Sequence, residues 1–165
     1  MARPISAAKR QSISRANQKS SQIIGKMIAT TLKGVQKEVS QRAYRASNEL
    51  RNAELYVLRG QRSGKKYRVP GTRRKYTASA PGESPAVRTG VFRLSWGTHV
   101  HVEKNGTHFR AVSAIESKER AGGRLLGEML ENGTGRIAPR PYKQKVIDRA
   151  LPKIKAIYQK PYQGK

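Results

Sequence analysis

Cysteine is absent from the 165 residues, which removes a disulfide framework, a thiolate metal site and a cysteine nucleophile together. Acids are scarce, with 10 Asp plus Glu of which Asp148 is the single aspartate. Paired carboxylates for acid-base work, or an aspartate beside an activated Ser–His pair, therefore have little to draw on. No GxSxG, GxxxxGK[ST] or strand-borne GxGxxG occurs, so neither a nucleophile elbow nor a nucleotide-binding loop is expected. Uninterrupted apolar runs such as Ile23-Ile24 are far short of the ~20 residues that cross a bilayer. The basic start MARPISAAKRQ lacks the apolar stretch of a secretory signal. These absences lead to an expectation of no enzyme, no cofactor, no bound metal and no membrane partner. The protein is expected to act where it is made or to leave by lysis.

What is present is positive charge. Lys plus Arg number 35, for a formal net charge of +25 and a sequence pI near 11.2. Residues 1–75 hold 19 of them against Glu38, Glu49 and Glu54, so the excess is concentrated in the N-terminal half. Such a surplus suits a polyanion, because cations that neutralise phosphates release counterions without reading bases. No zinc finger, RNP aromatic motif or GXXG loop supports sequence reading. The same charge would also suit acidic protein surfaces, or a passage through which DNA slides without being gripped. With 36% hydrophobic and 6% aromatic residues, one thin core is expected inside a basic shell.

Along the chain, residues 1–17 mix Pro4, Ser6, Ser12 and Ser14 with Lys9, Arg10 and Arg15, the composition of a disordered basic arm. Over 18–58, Ile24, Ile28, Leu32, Val35, Val39, Ala43, Ala46, Leu50, Ala53 and Val57 recur every three or four residues, the period of one long amphipathic helix. Gly34 is a candidate break. Residues 59–76 read as a basic loop carrying Arg59, Arg62, Lys65, Lys66, Arg68, Arg73, Arg74 and Lys75 without an acid. These eight cations are candidates to face a DNA channel or a partner. Residues 77–158 read as an α+β core, and 159–165 as a tail.

Within that core, Pro81 and Pro85 predict an extended segment, Val91 to Leu94 a helical turn, and Asn105-Gly106 a two-residue type I′ turn. That turn pairs Lys104 with Thr107 and Val102 with Phe109. It places Val100, Val102, Phe109 and Ala111 on one face and His99, His101, Glu103, His108, Arg110 and Val112 on the other. Residues 123–131 read as a short helix or strand. A last helix runs from Tyr142 to about Tyr158, interrupted or kinked at Pro152. The fold class is thus α+β: a long N-terminal helix and a C-terminal helix packed on a small antiparallel sheet, with basic extended arms. Three imidazoles on one hairpin are residue types that ligate zinc or nickel. Neighbouring strand positions point side by side, however, and a polar face turned to solvent or to a neighbouring subunit is the simpler reading.

Two stretches carry a family likeness. SAPGESPAVRTGVFRLSW (79–96) resembles the PGxPPxxRTGxLxxS signature of the neck, or head-tail joining, proteins of long-tailed double-stranded DNA phages. GEMLENGTGRIAPRPYKQKVIDRAL (127–151) resembles their xxxExGTxxxxPRPFLxPAL stretch. With the hairpin between them, the likeness covers roughly 77–155. Val91-Phe92 lie where the family leucine sits closer to the glycine, and Tyr142 stands in place of the common Phe. The long helix and basic arm are similar to those of the tail-completion, or minor tail, proteins of lambda-like phages. The resemblance implies a structural virion protein, assembled in the host cytoplasm. It would form a ring of copies, six-fold by analogy, that completes the tail and joins it to the DNA-filled head. The implied partners are the head-closure ring, the tail terminator or tail tube proteins, and genomic DNA in non-specific contact. A non-sequence-specific nucleic-acid-binding basic protein is the alternative. The motif residues Pro81, Gly82, Pro85, Arg88, Gly90, Glu131, Gly133, Pro139, Arg140 and Pro141 would maintain the fold or meet neighbouring subunits. In this reading Arg88 clamps backbone carbonyls or Glu131.

Overall fold

The computed structural model describes residues 6–163, which divide into two compact units: 6–39 together with 162–163, and 40–161. One helix, α1 (Ala7–Arg59), contributes to both. It starts inside the segment expected to be a disordered arm and passes Gly34 without a break; residues 1–5 of that arm lie outside the described residues. The reason is local. Between Pro4 and Gly25 the chain has neither Pro nor Gly and includes Ala7, Ala8, Ala16, Lys9, Arg10 and Gln11, all good helix formers. Extending an existing helix also avoids the cost of nucleation. A single glycine costs up to ~1 kcal/mol relative to Ala, too little to break a helix this long.

In the first unit, residues 6–31 are exposed throughout, so this stretch is helical by propensity rather than by burial. Ser12 Oγ donates to the Lys9 carbonyl at 2.9 Å, and the Gln163 backbone N–H donates to Glu38 Oε2 at 2.9 Å.

In the second unit, the stripe read from the sequence faces the core: Ala43, Ala46 and Ala53 are buried and Leu50 and Val57 half-buried, and Leu58, outside that stripe, is buried as well. Ala53 and Leu58 form a core with Tyr142, Val146 and Ala150, against which Leu50, Val57, Phe92, Trp96, Ile115, Leu130 and Ile154 pack. The last five residues come from α2 (Val91–Leu94) and its C-terminal flank, β4 (His108–Glu116), α3 (Leu126–Asn132) and α4 (Lys143–Tyr158). Polar contacts pin α1 to these elements. Arg51 Nε donates to the Trp96 carbonyl at 2.9 Å and Ser113 Oγ to the Ala43 carbonyl at 2.8 Å. Lys153 Nζ lies 3.0 Å from Glu49 Oε2, and the Arg149 guanidinium sits 3.2 Å from the Tyr56 ring centre. The expected tail is held at its start, because Arg42 donates to the carbonyls of Lys160 and Pro161.

The strands form three two-stranded antiparallel ribbons rather than one sheet. β1 (Lys66–Arg68) pairs with β2 (Lys75–Thr77), β3 (Gly97–Asn105) with β4, and β5 (Arg120–Ala121) with β6 (Arg124–Leu125). The β3–β4 register differs from expectation. Asn105 pairs with His108 and Val102 with Ala111, so the turn is Gly106-Thr107, with positive φ at Gly106 alone. That is the type II′ requirement, glycine first, and it outcompetes the I′ alternative that would put Asn105 in the left-handed region. Each strand residue thus meets a partner two positions on from the expected one, and a slip of two keeps every side chain on its expected face. Val100, Val102, Phe109 and Ala111 are the half-buried set, and His99, His101 and Arg110 are exposed. Pro152 sits inside α4, on an exposed position where a missing N–H leaves only one carbonyl to solvent. Among the described residues no helix is long and apolar enough to cross a membrane.

Candidate functional site

The two sequence motifs, some 50 residues apart, meet in space. Arg140 Nη1 donates to the carbonyl and hydroxyl of Ser79 and to the Ala80 carbonyl, the last at 3.1 Å. The Gly82 N–H donates to the Pro139 carbonyl at 3.1 Å. Ser84 Oγ donates to the Pro141 carbonyl at 3.4 Å, and Lys145 Nζ to the Gly82 carbonyl at 3.3 Å. Gly82 has φ +78, a conformation that a side chain would strain, so the turn after Pro81 that aims its N–H at Pro139 needs the glycine. Pro85 is buried between these segments and Arg62.

The clamp expected of Arg88 is made by other arginines. Arg88 is exposed and carries no hydrogen bond or ion pair among the described residues; it borders an open apolar groove with Val91, Phe92, Leu126, Leu130 and Ile137. Gly90, with φ +91, precedes α2 and lets the chain turn into it. Arg140 holds the 79–80 carbonyls, and Glu131 has a different role. Its Oε2 accepts the backbone N–H groups of Tyr142 at 2.9 Å and Lys143 at 3.2 Å, capping the first turn of α4, whose own cap residue offers no side-chain acceptor. A carboxylate there also faces the positive end of the helix dipole. Gly133, with φ +74, makes the return possible: a Cβ on it would come within 2.7 Å of the Ile137 carbonyl oxygen. Glu131→Ala is expected to cost about 1 kcal/mol, a fall in thermal midpoint of about 3 °C by calorimetry. Glu128→Ala, one turn away, serves as the control, with no cap to lose.

Beneath the junction lies an aromatic trio. Phe92, Trp96 and Tyr142 meet edge-to-face in all three pairings, with centroids 5.6–5.9 Å apart. The Tyr142 hydroxyl donates to the Gly127 carbonyl at 3.3 Å, and a Cβ at Gly127 would sit 2.8 Å from that oxygen. The Tyr142 hydroxyl thus has a partner, and Gly127 supplies the room for it. Burial, with Glu131, Glu54 and Glu128 nearby, holds this phenol well above its ordinary range. Glu54 of α1 is fully buried beside the trio, and neither of its carboxyl oxygens has a hydrogen-bond partner. Burial pushes its pKa up to about 8, against the lesser opposing pull of Arg51 and Arg93.

The basic loop is a finger rather than a coil. β1 and β2 pair through Lys66–Thr77, Tyr67–Tyr76 and Arg68–Lys75, and the turn between them is closed by the Val69 N–H on the Arg74 carbonyl at 2.8 Å. The Tyr67 and Tyr76 rings lie 6.1 Å apart. Lys65, Lys66, Arg68, Arg73, Arg74 and Lys75 are all exposed, as is Arg59 at the end of α1. Arg62 does not belong with them. It donates to the carbonyls of Val57 at 2.9 Å, Gly60 at 2.6 Å, Gln61 at 2.8 Å and Pro85 at 2.9 Å, and its burial lowers its pKa. It is an internal clamp, fixing the base of the finger to the first motif. Sequence reasoning also missed Glu83. Its Oε1 accepts from Ser63 Oγ at 2.6 Å and its Oε2 from the N–H groups of Ser63 and Ala80. These donors, aided by Arg62, hold its carboxyl at about 2. The available signal was a lone acid flanked by turn residues just after a run of eight cations.

On the β3–β4 hairpin, His99 Nε2 lies 3.5 Å from Glu116 and His101 Nε2 3.3 Å from Glu103. Among the described residues no three His, Asp or Glu side chains converge as a metal site requires. The geometry therefore offers a braced junction of two motif segments, an exposed unpaired Arg88, and a finger of cations. No protein-family model, curated protein or solved structure matches the chain.

Proposed function

We propose that the protein is a structural component of a tailed-phage virion, forming a ring in the neck that completes the tail and joins it to the DNA-filled head. The observation that carries this reading is the junction itself. The two segments resembling the neck-protein signatures are bonded to each other through Arg140, Gly82, Ser84 and Lys145, as parts of one module would be. In this reading Gly82, Arg140, Glu131, Gly133, Pro139 and Pro141 maintain the junction, while Pro81, Arg88 and Gly90 meet neighbouring copies. Such contacts are heterologous, and a ring of six closes them. The head-closure ring lies on one side and the tail terminator or tail tube on the other, and the cations of the finger face the DNA passage.

The test is electron microscopy of a lysate from a producing phage whose copy of the gene carries an early stop codon. Filled heads beside complete but unattached tails are the expected result; normal virions, or empty heads, would overturn the reading. The second reading, a non-sequence-specific nucleic-acid-binding protein, draws on the finger, where six exposed cations stand without an acid. It requires that neutralising Lys66, Arg68, Arg73, Arg74 and Lys75 abolish function while changes at Arg88 leave it intact.

A further inference from the structure

The exposed first part of α1 is two-faced. At 3.6 residues per turn, Arg15, Lys19, Lys26, Lys33 and Lys37 fall within about 40° of one another around the helix, with a span along it of about 33 Å. All five are exposed. The opposite face carries Ile13, Ile24, Met27, Ile28, Leu32 and Val35, and Glu38 is the single acid in residues 6–39. Between the two faces stand Gln18, Gln22, Ala29 and Gln36 on one side and Ser12, Ala16, Ile23 and Thr30 on the other, while Lys9 and Arg10, in the first turn, fall on the apolar side.

We infer that this ridge of five cations is a docking surface for the phosphate backbone of double-stranded DNA, contacted without regard to sequence. A helix lying in a lipid interface keeps its cations beside the apolar face, where they reach headgroups, and carries aromatic anchors. Here five of the seven cations in residues 6–39, all those from Arg15 to Lys37, point away from the apolar face, and residues 1–43 contain no Phe, Trp or Tyr. The lack of aromatics also argues against single strands, whose bases stack on such rings. Four of the five cations are lysines, flexible point charges rather than the planar forks that read guanine edges. The ridge belongs to the first unit and the finger at 65–75 to the second, and the choice of DNA over RNA rests on the neck reading.

The experiment measures anisotropy of a labelled 30-base-pair DNA duplex against the full chain between 50 and 300 mM salt. Two unrelated duplex sequences are compared. Replacing Arg15, Lys19, Lys26, Lys33 and Lys37 together by Gln keeps helix propensity, and circular dichroism verifies the helix. The expected result is a log–log salt slope shallower by about 4, affinity weaker by roughly ten-thousandfold at 0.1 M salt, and no difference between sequences. Should the fivefold variant lose helicity, Lys19→Gln with Lys26→Gln reads the same effect as a slope change of about 2. Unchanged slope and affinity would overturn the inference. So would binding of an RNA duplex without DNA, or of phosphatidylglycerol vesicles without either. The neck reading fails separately: unattached tails with a silent ridge refute the ridge alone, and normal virions with a DNA-binding ridge refute the neck role alone.

Discussion

Raising the pH from 5 to 9 is expected to destabilise the fold by on the order of 4 kcal/mol, and Glu54→Gln to remove most of that dependence. Glu54 is fully buried and both its oxygens lack partners, so the native state holds the carboxyl protonated up to about pH 8. The unfolded chain releases that proton near the ordinary carboxylate value of 4.5. The native state thus binds more protons than the unfolded state between about 4.5 and 8. Its stability is complete below that window, declines through it, and levels off above. The groups that face Glu54 are Arg51 on α1, Arg93 on α2 and Tyr142 before α4, with Glu131 and Glu128 acting on the same phenol. Arg51 and Arg93 favour the charged form, yet neither hydrogen-bonds to it, and so desolvation prevails. Urea unfolding of the native chain and of Glu54→Gln at each pH isolates the effect, because every other titrating group is common to both proteins. Parallel curves for the two proteins would refute the assignment.

How far the sequence could be read differed from element to element, for physical reasons. The hairpin faces were legible because strand alternation survives a register slip of two, whereas the register depended on which glycine-containing pair took the turn. In α1, the alanines at 43, 46 and 53 lie on the buried stripe read from their spacing, but the helix start lay in a composition that suits an arm as well as a helix. Ser-rich and Arg-rich residues after Pro4 look like an arm until an adjoining helix propagates into them. Arg88 and Arg140 are both motif arginines, and spacing alone does not say which one turns inward; the answer lies in Gly82, whose left-handed turn brings the 79–80 carbonyls to Arg140. Arg62 was grouped with the exposed cations for the same reason: charge is visible in a sequence, and carbonyls converging from Val57, Gly60 and Pro85 are not. Glu54 stood one step off an apolar stripe, where an acid ordinarily meets water. It is buried only in the fold, where Arg93 and Tyr142, residues of two distant segments, come to lie beside it.

Tyr142→Ala is expected to cost 3–5 kcal/mol, and Tyr142→Phe only about 1 kcal/mol. The ring is 2% exposed and packs edge-on against both Phe92 and Trp96, so truncation removes one side of the trio and leaves a cavity next to the partnerless carboxyl of Glu54. The phenylalanine keeps the ring contacts and loses the 3.3 Å hydrogen bond to the Gly127 carbonyl, a small net change unless that carbonyl is left dry. Because a domain of this size has a total stability of about 5–15 kcal/mol, the alanine variant sits near the edge of folding. Its backbone N–H still meets Glu131, but the start of α4 no longer has a core to rest on. Chemical denaturation checks the magnitudes. Complementation of the stop-codon phage then links them to the proposed role: the Phe variant should restore joined particles, and the Ala variant should leave tails unattached. Full restoration by both would separate the aromatic trio from joining, while a Phe variant as damaging as Ala would mean that the hydroxyl, and not the ring, holds the junction.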